Sequence, residues 1–460
     1  MKFEYDKVLL AEARRSWESL APLRRERRRL KDFAFGRQWS DEVRDTDGRR
    51  CTEGDLMISA GRCPATNNLI RQLVKTAVGR YRTTRRACTA TDARCLEEFL
   101  VSGMAVQRVR SASDPEGSPR VENISPERLF CADFTTPDAS DCQMVGALHD
   151  MAPGELLARF GRGQSSACRA LLKLRHAEGA PAQPRFAKAR VLTFDRAAAE
   201  GKVRVAEVWK RCLSPVMYCH DPAEGNAARF AYTPEMETAA ARFNRRRRRC
   251  GDAELEMRVE AGCGWEQTWL GPDGEILARH RYAPGREPQI AVRFYPMIDG
   301  EVHSLVADVV PQQKLVNRLT TMLDEVLAST AKGVVLYPTD QIPEGITWRE
   351  LRRMWATPGS ILPFKRTSKT VMPREVVGSG NLAGASQLLR MQLDMFADMS
   401  GATASARNGA GTHMSAEAMR EQTEQSMLGL LDVLADFDAF VAARRRLQQY
   451  LQGKEGSHEG

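Results

Sequence analysis

The chain has 460 residues, of which 42% are hydrophobic and 28% are charged, and its formal net charge is +9. This composition is ordinary for a soluble globular protein, and the length allows two or three domains with cores of their own. No apolar run reaches the roughly 18–20 residues that cross a bilayer, and the N-terminus lacks the hydrophobic region of a secretory signal. We therefore expect a protein that is made in a cytoplasm and has no membrane partner.

The first part of the chain is predicted to be largely helical. Apolar residues recur at helical spacing from Tyr5 to about Phe33, which predicts one arginine-rich helix. The same spacing predicts a second helix over Leu69–Arg82 and a third over about Ala93–Leu100. The residues that follow, Met104–Arg110, alternate between apolar and polar positions as a strand does.

From there to about Tyr295 the pattern is mainly that of β-strands. Residues 265–270 and 275–280 flank the turn residues Pro272-Asp-Gly274, which predicts a hairpin. The arginine run Arg245–Arg249 lies beside the alternating residues Leu255–Val259. We therefore interpret this run as a strand end or a loop.

Helical periodicity returns after Gly300. A helix about 35 Å long is predicted over Val306–Ser329. Two short strands, 334–337 and 360–364, flank a predicted helix over Trp348–Trp355. A helix over Ser386–Met399 leads into the small-residue loop Gly401–His413, and a long helix is predicted from Ser415 to about Leu451. The helix predicted over Val306–Ser329 has an apolar stripe that comprises Val309, Val316, Leu319, Leu323 and Val326. Asn317, Arg318 and Asp324 lie off this stripe.

The sequence contains none of the common catalytic motifs. It has no phosphate-binding P-loop, no H-E-x-x-H, no G-x-S-x-G and no dinucleotide-binding glycine fingerprint. Its 11 cysteines are scattered without a C-x2-C pair, which predicts free thiols in a reducing compartment. We therefore predict no catalytic residues, no metal, no cofactor and no enzymatic activity.

Positive charge is clustered in several arginine runs, among them residues 24–29, 245–249 and 444–446. Such runs indicate a polyanionic partner only weakly, because they are more often solvated faces. Two alternative functions stay open on these grounds. One is a basic nucleic-acid-binding protein, and the less favoured one is a metal-dependent nuclease whose carboxylates are dispersed along the chain.

Short motifs follow one another in a definite order. They are Phe35-Gly-Arg-Gln-Trp39, Asn67-Asn-Leu-Ile70, Gly79, Val121–Phe130 with Asp133, Asp138 and Asp141, Tyr295–Gly300, Leu305-Val306, Pro311-Gln312, Asn317, Ala356–Ile361 and Ser415–Met419. In this order the chain resembles tailed-bacteriophage portal (head–tail connector) proteins, over most of its length and most clearly after Gly300.

The resemblance implies an α+β, portal-like fold with a mixed α/β wing, a two-helix stem, a small α/β clip, a tunnel loop and a long C-terminal helix. Because the sequence stops soon after the long helix, we expect a crown domain that is short or absent. The implied boundaries are 1–304 for the wing, 305–331 for the first stem helix, 332–384 for the clip, 385–400 for the second stem helix, 401–413 for the tunnel loop, 414–452 for the long helix that returns to the wing, and 453–460 for a disordered tail.

The resemblance also implies the function and the partners. Portal proteins form rings, usually dodecameric, at one vertex of the virion capsid, after assembly in the cytoplasm of the bacterial host. Double-stranded DNA passes through the channel without sequence specificity during packaging and ejection. The implied protein partners are the terminase large subunit, a head-completion or adaptor protein, and the capsid and scaffold proteins.

Three groups of residues are candidate functional sites under this interpretation. On the first stem helix they are Val309, Val316, Leu319 and Leu323. In the tunnel loop, Arg407, Asn408 and His413 are expected to approach DNA; the alternative is a solvent-exposed linker. In the clip, aromatic and arginine residues of one helix are expected to contact another subunit, the terminase or the adaptor. The alternative is that the two tryptophans form the core of a small domain; the clip residues are Trp348, Arg352, Arg353 and Trp355.

Overall fold

The computed structural model describes residues 4–85, 87–110, 119–161, 192–198, 201–282, 287–295, 301–330, 334–338, 342–356, 363, 365, 374–376, 382–399 and 430–455. Helices and strands are mixed in these residues, and every strand pair among them is antiparallel, which agrees with the predicted α+β class.

The chain divides into two compact units, and each is assembled from segments that are far apart in sequence. The first unit comprises Met1–Leu30, Ala77–Val306 and Leu431–Gly460, and the second comprises Lys31–Thr76 and Ala307–Leu430. The division into wing, stem, clip and tunnel loop stays a prediction.

The N-terminal residues form two helices, so the prediction of one helix over Tyr5–Phe33 was wrong. Helix α1 spans Lys7–Ser19 and is capped by Asp6, whose carboxylate accepts a hydrogen bond from the Leu9 amide. Helix α2 spans Ala21–Ala34. Pro22 has no N–H to donate to a preceding turn, but it is tolerated in the first turn of a new helix. The helix therefore restarts just before this proline.

A six-stranded sheet forms the centre of the first unit, with strand order β10-β9-β7-β6-β5 and β8 paired to β7. Successive residues along each strand lie on opposite faces of this sheet. Leu129 and Trp209 pack towards a three-stranded sheet of order β11-β3-β4, whereas Phe130 and Val208 pack towards α1. The strands are β3 (Met104–Arg110), β4 (Arg120–Asn123), β5 (Leu129–Ala132), β6 (Met144–Met151), β7 (Val203–Asp221), β8 (Asn226–Ala231), β9 (Glu256–Leu270), β10 (Ile276–Arg281) and β11 (Ile290–Phe294).

The predicted hairpin is confirmed, because β9 and β10 pair across a turn in which Gly274 has a positive φ of 90°. At their other ends, β7 and β9 continue as a ribbon, to which β8 also pairs, beyond the five-stranded part of the sheet. The ribbon carries helix α7, Pro234–Cys250, so the prediction that Arg245–Arg249 marks a strand end or a loop was wrong. None of the residues of α7 is buried, and the helix therefore has no apolar stripe from which it could have been recognised.

Three further helices of the first unit are α5 (Ala90–Ser102), α6 (Pro153–Phe160) and α11 (Leu431–Glu455). Helix α11 packs on α5 through Phe437 and Phe99, whose ring centroids are 5.7 Å apart. Arg444 reaches Asp92 of α5 across 3.1 Å, and both side chains are buried. The start of the long helix predicted from Ser415 lies outside the described residues.

The second unit is mainly helical. Among its described residues, the strands form two short antiparallel pairs, β1 with β2 and β12 with β13. The predicted helix after Gly300 is confirmed as α8, and the predicted strand over residues 360–364 falls almost wholly outside the described residues. The elements are β1 (Glu42–Arg44), β2 (Arg50–Thr52), α3 (Glu53–Ser59), α4 (Leu69–Thr84, which continues beyond this unit), α8 (Leu305–Thr330), β12 (Val334–Leu336), α9 (Trp348–Ala356), β13 (Arg374–Val376) and α10 (Leu382–Met399).

Candidate functional site

Helix α8 buries a row of polar side chains in the second unit. Gln313, Asn317 and Thr321 recur every four residues and therefore lie on one face, and at most 2% of each residue is exposed. Buried amide and hydroxyl groups are costly unless they form hydrogen bonds. Their partners therefore determine what this face of the helix does.

The partners are backbone groups of the chain that leads into α4. The amide of Ala65 donates to Thr321, the amide of Asn67 donates to Asn317, and both distances are 3.0 Å. The amides of Leu69 and Ile70, at the start of α4, donate to the side-chain oxygen of Gln313 at 3.1 and 3.3 Å. In the part of the chain that the structure describes, this segment has no strand partner, so the three side chains supply the hydrogen bonds that a sheet would otherwise provide. We call these contacts the polar clamp.

The polar clamp extends to the turn that follows α2. Gln38 is buried; its side-chain oxygen accepts a hydrogen bond from Asn317 at 2.5 Å, and its nitrogen donates to Asn68 at 3.3 Å. Asn68 donates in turn to the carbonyl of Ala34. Gly36 makes this turn with a positive φ of 86°, and a Cβ there would lie 3.3 Å from the Asn68 amide nitrogen.

Ion pairs surround the buried part of the polar clamp. Lys314 lies 2.5 Å from Asp41 and 3.3 Å from Glu53, and Arg318 lies 3.0 Å from Glu53. The side chains of Lys314, Asp41 and Glu53 are only partly exposed, so these pairs are screened less than fully solvated ones. The clamp thus holds α8 against the segment from Ala34 to Ile70.

Two helices of this unit leave apolar side chains in water. Leu315 and Met322 are seven residues apart on α8, and both are exposed. On α10, Leu388, Met391 and Met395 form a similar exposed stripe beside the buried residues Gln392 and Phe396. The two helices are in contact, because the side-chain amide of Gln312 donates to the Gln392 carbonyl at 3.1 Å. Adjacent exposed apolar stripes of this kind are typical of surfaces that pack against another protein.

Helix α9 is short and carries exposed aromatic and cationic side chains. Thr347 and Glu350 form a capping box at its start: the Thr347 amide donates to the Glu350 carboxylate at 2.9 Å, and the Glu350 amide donates back to the Thr347 hydroxyl at 3.4 Å. Hydrogen bonds from Thr347 lower the pKa of Glu350. Trp348 is 52% exposed and contacts the ring of Tyr337 edge-on, with ring centroids 6.3 Å apart.

The predicted site residues fall into three groups. On α8, Val309, Val316 and Leu319 are buried, and Leu323 is half-buried. On α9, Trp348 and Arg352 lie one turn apart and are exposed, as is Arg353; Trp355 belongs to the same helix. The tunnel-loop residues Arg407, Asn408 and His413 lie outside the described residues.

Sequence reasoning missed most of the polar clamp. Gln38, Asn67 and Asn317 belong to the motifs that carried the resemblance, but Asn317 was predicted to lie off the core-facing stripe, and Gln313 and Thr321 were not singled out. The available signal was the spacing of Gln313, Asn317 and Thr321. Three residues that can hydrogen-bond, spaced four apart on a helix, form a row that can be buried only where other groups supply hydrogen-bond partners.

The first unit contains a buried charge cluster centred on Glu207. Its carboxylate accepts hydrogen bonds from Arg108 and Trp209 at 3.1 Å and from Gln267 at 2.7 Å, and it contacts His149 at 3.1 Å. Burial alone would raise the pKa of Glu207, but the Arg108 charge and the hydrogen bond to His149 outweigh it and lower the pKa to about 2. Burial lowers the pKa of His149. This saturated carboxylate has no free position for a substrate, so we interpret the cluster as structural.

Two observations bear on other classes of function. Within the described ranges, no three histidine, cysteine or acidic side chains come together as metal ligands. No helix in the described part of the chain combines the length and the apolar character that crossing a bilayer requires.

The comparisons with known proteins identify the family. The chain matches the model of the family described as "Phage P22-like portal protein" over residues 89–448, which is well over half of its length. A comparison with curated proteins finds no match. The chain belongs to the P22-like family of phage portal proteins, so the resemblance drawn from the sequence is confirmed. The family is a structural one, and its members are head–tail connectors rather than enzymes.

Proposed function

We propose that this chain assembles into a ring, usually a dodecamer in such proteins, at a single vertex of a phage capsid. The ring forms the channel through which double-stranded DNA is packaged and ejected, and it is the docking platform for the terminase large subunit and for a head-completion or adaptor protein. Its further partners are the capsid and scaffold proteins. The protein contributes a scaffold and a channel, and it carries out no catalysis of its own.

The exposed apolar stripes of α8 and α10 are the observation that carries this proposal. An isolated subunit leaves Leu315, Met322 and Met391 in water, whereas a ring would cover them against the neighbouring subunit. In the proposed ring, α8 and α10 are the two stem helices. The polar clamp then fixes α8 in each subunit, so that the stripes of all subunits have the same orientation.

The assembly part of the proposal is tested by changing the stripes. The double variant Met322→Glu, Met391→Glu is expected to remain a folded monomer, because each glutamate would be desolvated in the ring interface. Electron microscopy and native mass spectrometry of the parent are expected to show rings with a hole wide enough for duplex DNA. The control is Val8→Glu on α1, which changes an apolar residue of the first unit that is more exposed than Met322 or Met391. Rings of normal size from the double variant would contradict the proposed stem interface.

The tunnel loop, residues 401–413, is proposed to contact the DNA inside the channel. A sliding duplex requires weak contacts that do not depend on sequence, because many lysine and arginine contacts would bind too strongly to permit movement. The loop offers one cation, Arg407, together with Asn408 and His413 among small residues. Deletion of Ala404–Gly411 is expected to leave rings intact and to impair packaging or DNA retention. Normal packaging by the deletion variant would refute the role of the loop.

The clip is proposed to contact the terminase or the adaptor through α9. The exposure of Trp348, which is 52%, favours an interface over the core of a small domain. Arg352 and Arg353 are exposed on the same helix, and Trp355 is included in the proposed interface. The variant Arg352→Glu, Arg353→Glu should form rings but lose binding of the terminase. Binding equal to that of the parent would count against this surface.

A further inference from the structure

Helix α7 carries a row of arginines that the proposed portal function does not use. Arg242, Arg245, Arg246 and Arg249 follow the spacing i, i+3, i+4 and i+7, so at 3.6 residues per turn they lie within an arc of about 100°. All four are exposed. We call this set the arginine stripe. It extends about 10 Å along the helix.

Two neighbouring arginines of α7, Arg247 and Arg248, differ from the arginine stripe because their ion pairs hold the helix on the β7–β9 ribbon. Arg247 forms two hydrogen bonds to Asp221, at 2.5 and 3.0 Å, and Arg248 forms two to Glu254, at 2.6 and 2.9 Å. Asn244 adds two hydrogen bonds to the backbone of Leu255, both at 2.9 Å. In the described structure, by contrast, the members of the arginine stripe have no carboxylate or aromatic partner.

The stability of the helix does not account for the stripe. Thr233 caps the N-terminus, Pro234 occupies the first position, and Gly251 ends the helix in the left-handed conformation. The helix dipole favours cations in the last turn, which explains Arg249 but not Arg242, since the effect is confined to the terminal turn. Four like charges on one face also repel one another. A partner of opposite charge would remove this repulsion.

We propose that the arginine stripe binds the phosphate backbone of duplex DNA without reading its sequence. Its arc has no apolar side chain, whereas protein–protein interfaces usually have an apolar centre, so phosphate is the better match. Guanidinium groups bind phosphate oxygens through paired hydrogen bonds. Glu235 lies two turns before Arg242 on the same side of the helix and limits the DNA contact to the C-terminal half of α7. This second DNA contact lies in the first unit and does not depend on ring formation. It is proposed as a contact separate from that of the tunnel loop, so the weak binding required where the duplex slides does not apply to it.

The test compares two variants that remove the same charge. In the stripe variant, Arg242, Arg245 and Arg249 are each replaced by glutamine, which is a good helix former. The matched control replaces three exposed arginines of the β1–β2 hairpin by glutamine: Arg44→Gln, Arg49→Gln and Arg50→Gln. Binding to a random-sequence 30-base-pair duplex is measured by fluorescence anisotropy over a series of salt concentrations. Circular dichroism and electron microscopy show whether each variant keeps its fold and its assembly state.

The stripe variant is expected to bind DNA more than roughly tenfold more weakly, with the slope of log K against log salt reduced by about 3 per subunit. A third variant with lysine at the same three positions should retain most of the slope, since it keeps the charges. Equal losses in the stripe variant and the control would mean that net charge alone is measured, and would overturn the proposal. The proposal also fails if DNA binding is unchanged and only binding of polyglutamate is lost, because the stripe would then be a dock for an acidic protein.

Discussion

Replacement of Asn317 by alanine removes the central contact of the polar clamp. The side chain accepts a hydrogen bond from the Asn67 amide at 3.0 Å and donates one to the buried oxygen of Gln38 at 2.5 Å. Alanine leaves both groups without a partner. The loss costs about 1–3 kcal/mol for the buried Gln38 oxygen and less for the Asn67 amide, whose hydrogen bond is only part-buried. We therefore expect the second unit to lose about 3 kcal/mol of local stability, which is roughly a hundredfold increase in opening.

Hydrogen–deuterium exchange at single-amide resolution is the appropriate assay, because each residue of the clamp protects a different backbone amide. Asn317→Ala should speed exchange at Asn67 by roughly a hundredfold, with a smaller effect at Leu69, whose partner is Gln313. Gln313→Ala should speed exchange more at Leu69 than at Asn67. Replacing Thr321 should act first on the amide of Ala65.

Thr320→Ala is the matched control on the same helix. Thr320 accepts a hydrogen bond only from the exposed side chain of Asn67, so its loss should leave the Asn67 amide protected. The reasoning is refuted if Asn317→Ala leaves exchange at Asn67 unchanged. It is equally refuted if exchange rises by the same factor throughout the chain, since the clamp would then have no local effect.

Three further predictions concern the first unit. Arg108→Met leaves the buried Glu207 carboxylate without its cation, so thermal unfolding should show a loss of about 3–5 kcal/mol; a loss under 1 kcal/mol would contradict this. Because the folded-state pKa of Glu207 is lowered from 4.5 to about 2, its stabilisation should be complete above pH 4.5 and decline as the pH falls towards 2, with a smaller decline in Glu207→Gln. Gly103→Ala should cost roughly 2 kcal/mol or more in the same unfolding assay, because φ is +71° and a Cβ would lie 2.2 Å from the His303 carbonyl oxygen; a neutral result would contradict the geometry.

The sequence predicted elements well where apolar residues recur at a regular spacing. Helices α8 and α5 were recognised in this way, and the β9–β10 hairpin was recognised from the turn residues Pro272-Asp-Gly274. The one arginine-rich helix predicted over Tyr5–Phe33 is two helices, because a periodic stripe continues across Pro22 while the backbone does not. Helix α7 was missed because it has no periodic apolar stripe. It is stabilised by its caps and by ion pairs to Asp221 and Glu254, which lie outside the helix and leave no periodic signal within it.

The polar clamp was predictable only in part. The motifs around Gln38, Asn67 and Asn317 were recognised by their order, but their contact could not be inferred, because a polar residue on a helix is more often solvated than buried. The Asn67 amide, whose hydrogen bond makes the burial of Asn317 favourable, belongs to a segment without secondary structure. Periodicity carries no information about such segments, so a structure was needed to see that these motifs meet.

The clamp also has a consequence for the order of folding. Asn67 and its partner Asn317 are 250 residues apart, and the other clamp contacts span similar distances. During synthesis, the segment around Asn67 leaves the ribosome long before α8 exists. Until α8 is made, the amides of this segment and the side chain of Gln38 form their hydrogen bonds with water. Closing so long a loop is slow compared with local helix formation. We therefore expect the second unit to form late, once α8 has been synthesised. Before that point, a nascent chain would not present the surface that the polar clamp orders and could not assemble with other chains through it.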